Sequence, residues 1–262
     1  MRNINLLLIV VFLLLNSSCS FRKTYKITDT IDTVNVSPDE NIDLILNSNS
    51  KVIIRDKWGV PHVYGHTDAD ASFALAYANA QDDFFNIQEA VLKARGKYSS
   101  IYGPGPNKIN AIFDYMVGLL KIWDLVEEKY YTDLSEETIL LCESYAKGIN
   151  SYIEENNNTI EQYIYPVNGK DIIAATMHKT PTFYQLPFFL SDLYTKSPDK
   201  IPSHYTIGDT IEILKSLDIK GSNVYAVSPE LSDNGDTFLA INSHQPFDGE
   251  LAWYEAHINS NE

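Results

Sequence analysis

Cysteine is nearly absent from this sequence: Cys19 and Cys142 are the two present, so no disulfide framework is expected. Basic residues are also scarce. Twenty Lys and Arg stand against 35 Asp and Glu, a net charge of −15. That balance argues against a nucleic-acid partner, because a phosphate backbone is bound by clustered Lys and Arg that release its counterions. Apolar runs are short, the longest being Leu6 to Leu15. This is less than a stable membrane helix requires. No internal repeat is evident. What remains is an acidic chain of 262 residues with 44% hydrophobic content, enough for one large domain or two small ones.

The N-terminus reads as a targeting segment, with Arg2 ahead of the apolar run. Ser17-Ser18-Cys19-Ser20 is similar to a bacterial lipoprotein signal in which Cys19 is lipidated after cleavage. Asn16 stands where such boxes usually carry leucine, so a plain secretory cleavage is the alternative. Either way the expectation is an exported protein, in the periplasm or on the outer surface. Residues 1–18 are then a signal peptide. Residues 19–50, rich in Asp, Asn, Thr and Ser, read as a polar tether to the membrane through Cys19.

Lys51 to Asp56 reads as a strand. From Asp68, apolar residues recur at Phe73, Tyr77, Ala80, Phe84, Ile87 and Val91, the spacing of an amphipathic helix. Thr67 is its expected N-cap, with Asp70 three residues on, and Gly96 its stop. Ile109 to Tyr130 and Ser135 to Asn156 read as two further helices. In the second, Cys142 shares a face with Ala146, Ile149 and Ile153, which makes it a small buried hydrophobe. Lys170 to His178 is helical in pattern, and Pro181 to Phe189 is rich in aromatics. His62 and His66 have the i, i+4 spacing that binds metal on a helix, but they flank strand-like residues with no third ligand nearby. No metal site is expected there.

The pattern that carries chemistry begins at Gly221-Ser222-Asn223. A β-favouring run, Asn223 to Val227, leads to the turn Asp233-Asn234-Gly235-Asp236 and a second run, Thr237 to Ile241. Asn242-Ser243-His244-Gln245-Pro246 follows. This layout suits a serine that becomes a new N-terminus by self-cleavage and then acts as a nucleophile. A serine hydroxyl needs a base, and a terminal α-amine titrating near pH ~8 supplies one. A two-residue Asn234-Gly235 loop sets Tyr225 opposite His244. His244 then lies roughly 10 Å along the ladder from Ser222, at about 3.3 Å per residue.

These residues, with Trp253-Tyr254-Glu255-Ala256-His257, resemble the β-subunit start of the penicillin acylase family. Its members are N-terminal-nucleophile (Ntn) amidohydrolases and include acyl-homoserine lactone and aculeacin acylases. Arg55-Asp56-Lys57-Trp58-Gly59-Val60-Pro61-His62-Val63 looks like the opening strand of the family's α-subunit. Ala76 to Asp82 and Arg95-Gly96-Lys97-Tyr98 to Gly103 look closer to the aculeacin and homoserine-lactone branch. Two residues depart from the pattern: Ala74 stands where relatives often have glycine, and Asp83 where arginine is common.

The resemblance implies an α+β fold, the αββα Ntn-hydrolase sandwich. Residues 51–195 form the mostly helical α-subunit region, 196–221 a removable spacer, and 222–262 the start of the β-subunit with its first hairpin. It implies self-cleavage between Gly221 and Ser222, with Ser222 as nucleophile, its freed amine as base, His244 in support and Asn223 in a structural role. Glycine before the serine suits the strained backbone of an N→O acyl shift. The resemblance also implies an α/β heterodimer cut from one precursor, and in the family the region of the aromatic stretch Phe183 to Phe189 helps to line the acyl pocket, with ordinary core or subunit packing the alternative for each residue. The substrate is a linear amide: an acyl-homoserine lactone, a β-lactam or a lipopeptide. No cofactor is expected; structural calcium occurs in some relatives, but no matching carboxylates can be placed. The family's oxyanion-hole groups lie beyond Glu262, so residues 1–262 alone are expected to be inert. The competing reading is a catalytically dead, lipid-anchored binding protein on the same scaffold.

Overall fold

A computed structural model describes residues 31–33, 51–195, 222–246 and 249–262. Cys19, Gly221 and the spacer expected at 196–221 lie outside the described residues. The architecture is α+β, as expected. Strands β1 (Ile31–Thr33), β2 (Lys51–Arg55), β3 (Pro61–Gly65) and β6 (His257–Ser260) form a four-stranded sheet in the order β1-β2-β3-β6. β1 runs parallel to β2, β2 antiparallel to β3, and β3 parallel to β6. A separate two-stranded hairpin joins β4 (Asn223–Val227) to β5 (Phe238–Asn242).

Within the stretch read as a tether, Ile31–Thr33 pairs with Lys51–Ile53. Two β-favouring residues, Ile31 and Thr33, suffice for a short parallel rung against the otherwise open edge of β2. The β2–β3 turn is built by Asp56. Its Oδ1 accepts the N–H groups of Trp58 at 2.8 Å and Val60 at 2.9 Å, and Gly59 supplies the positive φ of 86°.

The central element is α1 (Asp68–Ala94), about 40 Å long at 1.5 Å per residue. Thr67 Oγ1 accepts the Asp70 N–H at 3.1 Å, and the Asp70 carboxylate accepts the Thr67 N–H at 3.2 Å. This is the capping box that the spacing of the two residues implied. The helix bends at Asp83, whose backbone leaves helical values (φ −150°, ψ 51°), and ends before Gly96 at φ 64°. One face carries Ala71, Ala74, Tyr77 and Ala78 against Ile53 and Val63 of the sheet. Another packs Ala76, Val91 and Leu92 against Ala146, Ile149 and Ile153.

Those last three belong to α5 (Glu136–Glu155), capped by Ser135 and carrying Cys142 on its buried side. Burial pushes the Cys142 thiol up to about 12, so it is a packing residue and not a nucleophile. α1 and α5 approach so closely that a Cβ on Gly148 would sit 2.2 Å from the Phe73 carbonyl oxygen. Gly148→Ala is therefore expected to destabilise by about 1–3 kcal/mol, outweighing alanine's better helix propensity. Urea denaturation measures this; an unchanged or raised midpoint would refute the close contact.

The helix expected over Ile109 to Tyr130 is two helices. α2 (Tyr98–Tyr102) precedes α3 (Ile109–Leu119), and α4 (Ile122–Asp133) follows a break where Lys121 adopts φ 51°. The break turns the chain so that Ile122, Val126 and Tyr130 bury against Ala94 and Ala174. It also aims the Trp123 indole N–H at the Ala94 carbonyl, 2.9 Å away, capping the end of α1. α6 (Gly169–Phe183) and α7 (Leu186–Thr195) complete the helical body; the aromatic stretch runs from the end of α6, where Pro181 lies, across a break at Tyr184 and Gln185 (φ 61°) into α7.

Candidate functional site

The hairpin begins beside Ser222 and ends two residues before His244, and its register differs from the sequence expectation. Asn223 pairs with Asn242 and Tyr225 with Ala240, not with His244. The reason is Pro229. It has no N–H to donate to the ladder, and it opens a 3₁₀ turn over Pro229–Leu231 directly after β4. The connection therefore spans residues 228–237, and Asn234-Gly235 is one bend within it.

The new register draws the predicted residues together. His244 follows β5 by two residues, and its Nε2 lies 3.1 Å from the Asn223 side-chain nitrogen and 3.1 Å from that of Asn242. Asn223 is the residue after Ser222. The imidazole is thus pinned on Ser222's immediate neighbour, rather than standing three residues up the ladder. Two amide donors at Nε2 place the ring proton on Nδ1. Ser222 itself is exposed at the start of β4. Asn242 was quoted in the motif but given no role; once the two asparagines share a rung, it becomes the second arm of a clamp on the ring.

His62 and His66 do not form a pair. His62, in β3, has its ring centroid 5.1 Å from that of His257 in β6, and its Nε2 lies 3.8 Å from Asp56 Oδ2. Trp58, Val60, Glu255 and Ala256 complete a shallow cleft around these groups. Among the described residues no three His, Cys, Asp or Glu side chains converge as a metal site. The aromatic stretch is only partly covered: Tyr184 and Phe188 are exposed, and Phe183 meets Tyr184 edge to face at 5.3 Å.

The hairpin segment reaches the helical body through Tyr254, whose hydroxyl donates to Asp82 Oδ2 at 2.5 Å. Arg55 Nη1 donates to the same oxygen at 2.8 Å. Burial, reinforced by the Asp82 carboxylate, pushes the Tyr254 phenol well above its usual range, so it stays a hydrogen-bond donor.

The chain is 25% identical over 223 residues to an acyl-homoserine lactone acylase, PvdQ, of Pseudomonas fluorescens, covering 79% of this chain and 28% of the relative. It is 23% identical over 251 residues to the acyl-homoserine lactone acylase QuiP of Pseudomonas aeruginosa, covering 79% of this chain and 29% of the relative. Among solved structures, the thermostable penicillin G acylase from Alcaligenes faecalis aligns with a TM-score of 0.42 at 19% identity, over 61% of this chain and 98% of that one. The chain thus spans less than a third of the length of these curated relatives. The penicillin amidase family profile matches residues 51–262, the stretch that holds β2, the hairpin and β6, and the chain belongs to that family.

Proposed function

We propose that this chain is the N-terminal part of an acylase that hydrolyses linear amides through Ser222. The observation that carries the reading is the clamp of Asn223 and Asn242 on His244, one residue from Ser222, in a chain of the penicillin amidase family. The relatives' names point to acyl-homoserine lactones as the first substrate class to test.

The proposed chemistry has two stages. In maturation, Ser222 Oγ attacks the Gly221 carbonyl carbon, and the Gly221–Ser222 amide becomes an ester. Water hydrolyses that ester, leaving a carboxylate on Gly221 and a free α-amine on Ser222. In turnover, the amine takes the Oγ proton as Oγ attacks the substrate carbonyl, then passes that proton to the departing amine. Water releases the acyl group as a carboxylic acid. His244 supports the residue next to the nucleophile without serving as principal base.

Mass spectrometry of the complete gene product should show a chain beginning at Ser222, and acyl-homoserine lactone hydrolysis should accompany it. An uncut protein with no acylase activity would sink the reading. His244→Ala should lower kcat/KM by about 10²-fold with little loss of folding. Unchanged kcat/KM with normal maturation would relegate His244 to packing.

A further inference from the structure

β5 ends at Asn242, so the chain has left the ladder by the time it reaches His244. Strand pairing therefore does not fix the imidazole; side-chain bonds do. Its Nε2 meets one amide nitrogen from each strand, Asn223 of β4 and Asn242 of β5, each at 3.1 Å. Those two residues are register partners, so the ring sits astride a single rung, the first after Ser222.

The two arms are not equivalent. Cleavage before Ser222 would make Asn223 the second residue of a new chain, and fraying concentrates at chain ends. Asn242 lies in mid-chain between β5 and the turn toward Pro246, and is the arm that keeps the ring in place. The pair also sets what the ring can do. An imidazole nitrogen of the acceptor type offers one lone pair. Both amide N–H groups draw on it, so Nε2 has nothing left with which to take a proton from a serine hydroxyl. The ring proton is on Nδ1, and through that atom the ring donates and does not accept. Such a group steadies a lone pair or a developing negative charge. It complements a site in which the freed Ser222 amine takes the proton.

We propose that Asn242 is a positioning residue that, with Asn223, commits His244 to the role of hydrogen-bond donor. The consequence for turnover rests on the acylase reading above; the state of the ring does not.

Asn242→Asp tests this, because it keeps the shape and exchanges an N–H donor for a carboxylate acceptor. Asn242 is exposed, so the substitution leaves the core untouched. The ring should change tautomer, its proton moving to Nε2 to face the new carboxylate. In the complete gene product kcat/KM should fall about 10- to 10²-fold, through kcat with KM little changed. Asn242→Ala removes one arm and leaves the Asn223 donor, so it should lose less than Asn242→Asp. A packing role predicts the opposite order. In a His244→Ala background Asn242→Asp should bring no further loss, since the ring it positions is gone.

Nitrogen-15 labelling of histidine, recorded near pH ~8, reads the ring directly, with the His244 signal identified by its loss in His244→Ala. The wild type should carry the proton on Nδ1 and Asn242→Asp on Nε2. A wild-type proton on Nε2 would overturn the proposal. So would an alanine variant worse than the aspartate one, or an undiminished loss in the His244→Ala background. A protein without acylase activity whose tautomer still inverts in Asn242→Asp would overturn only the acylase reading.

Discussion

Ser222→Ala in the complete protein is expected to leave a single uncut chain and to abolish amide hydrolysis. Alanine has no oxygen to attack the Gly221 carbonyl, so no ester forms and no new α-amine appears. On the proposed mechanism, nucleophile and base are thus lost in one substitution, because the proposed base is the amine that cleavage would free. The expected loss in kcat is on the order of 10⁴-fold or more, the scale seen when a serine hydrolase loses its nucleophile. Ser222→Cys separates the two stages. A thiol can carry out the N→S shift, so some cleavage should persist, while turnover depends on how well the thiol serves the second stage. Intact-mass spectrometry reads the first stage and product release the second. An alanine variant that still matures at this bond would remove Ser222 from the assignment.

How much of this was legible in the sequence depends on the range of each interaction. Thr67 and Asp70 cap α1 across three residues, and Gly96 ends α1 beside it. Such signals lie within one turn of backbone, and the residues alone gave them correctly. The break at Lys121 was not legible, because its cause is remote. Ile122 and Trp123 turn toward Ala94 and Ala174, which only the fold brings near. Hairpin register failed for a related reason. Asn-Gly is the stronger local turn signal, but Pro229 keeps the ladder from continuing past Val227 to that turn and lengthens the connection. That displacement decided the candidate site, since it alone put Asn223 and Asn242 on one rung under His244. Tyr254 could be quoted from the motif Trp253 to His257. Its partner Asp82 is 172 positions away in the chain and had no local signal.

Arg95 is the residue whose role the motif concealed most, and its partner carries the largest expected stability effect. In the sequence it only opens the block Arg95-Gly96-Lys97-Tyr98 beside the glycine that stops the helix. In the fold it grips four acceptors. Nε and Nη2 donate to the two oxygens of Asp171, each at 2.7 Å. Nη1 donates to the Ile164 carbonyl at 2.8 Å, and Nη2 also reaches the Pro166 carbonyl at 2.7 Å. Asp171 is 2% exposed in its side chain and also accepts the Asn168 N–H at 2.9 Å, closing the capping box of α6. One carboxylate therefore holds the end of α1, the 164–166 segment and the start of α6. Asp171→Ala leaves the guanidinium without its counter-charge and the helix without its cap, an expected cost of about 3–5 kcal/mol. For a chain of this size, that is a fall in Tm of roughly 6–20 °C. Asp171→Asn keeps the shape and one good acceptor and should lose less. Arg95→Lys should approach the alanine variant, because an ammonium cannot match the planar fork that serves the carboxylate and two carbonyls together. Thermal and urea unfolding measure all three. A loss below about 1 kcal/mol for Asp171→Ala would place the pair with ordinary surface ion pairs and refute the clamp.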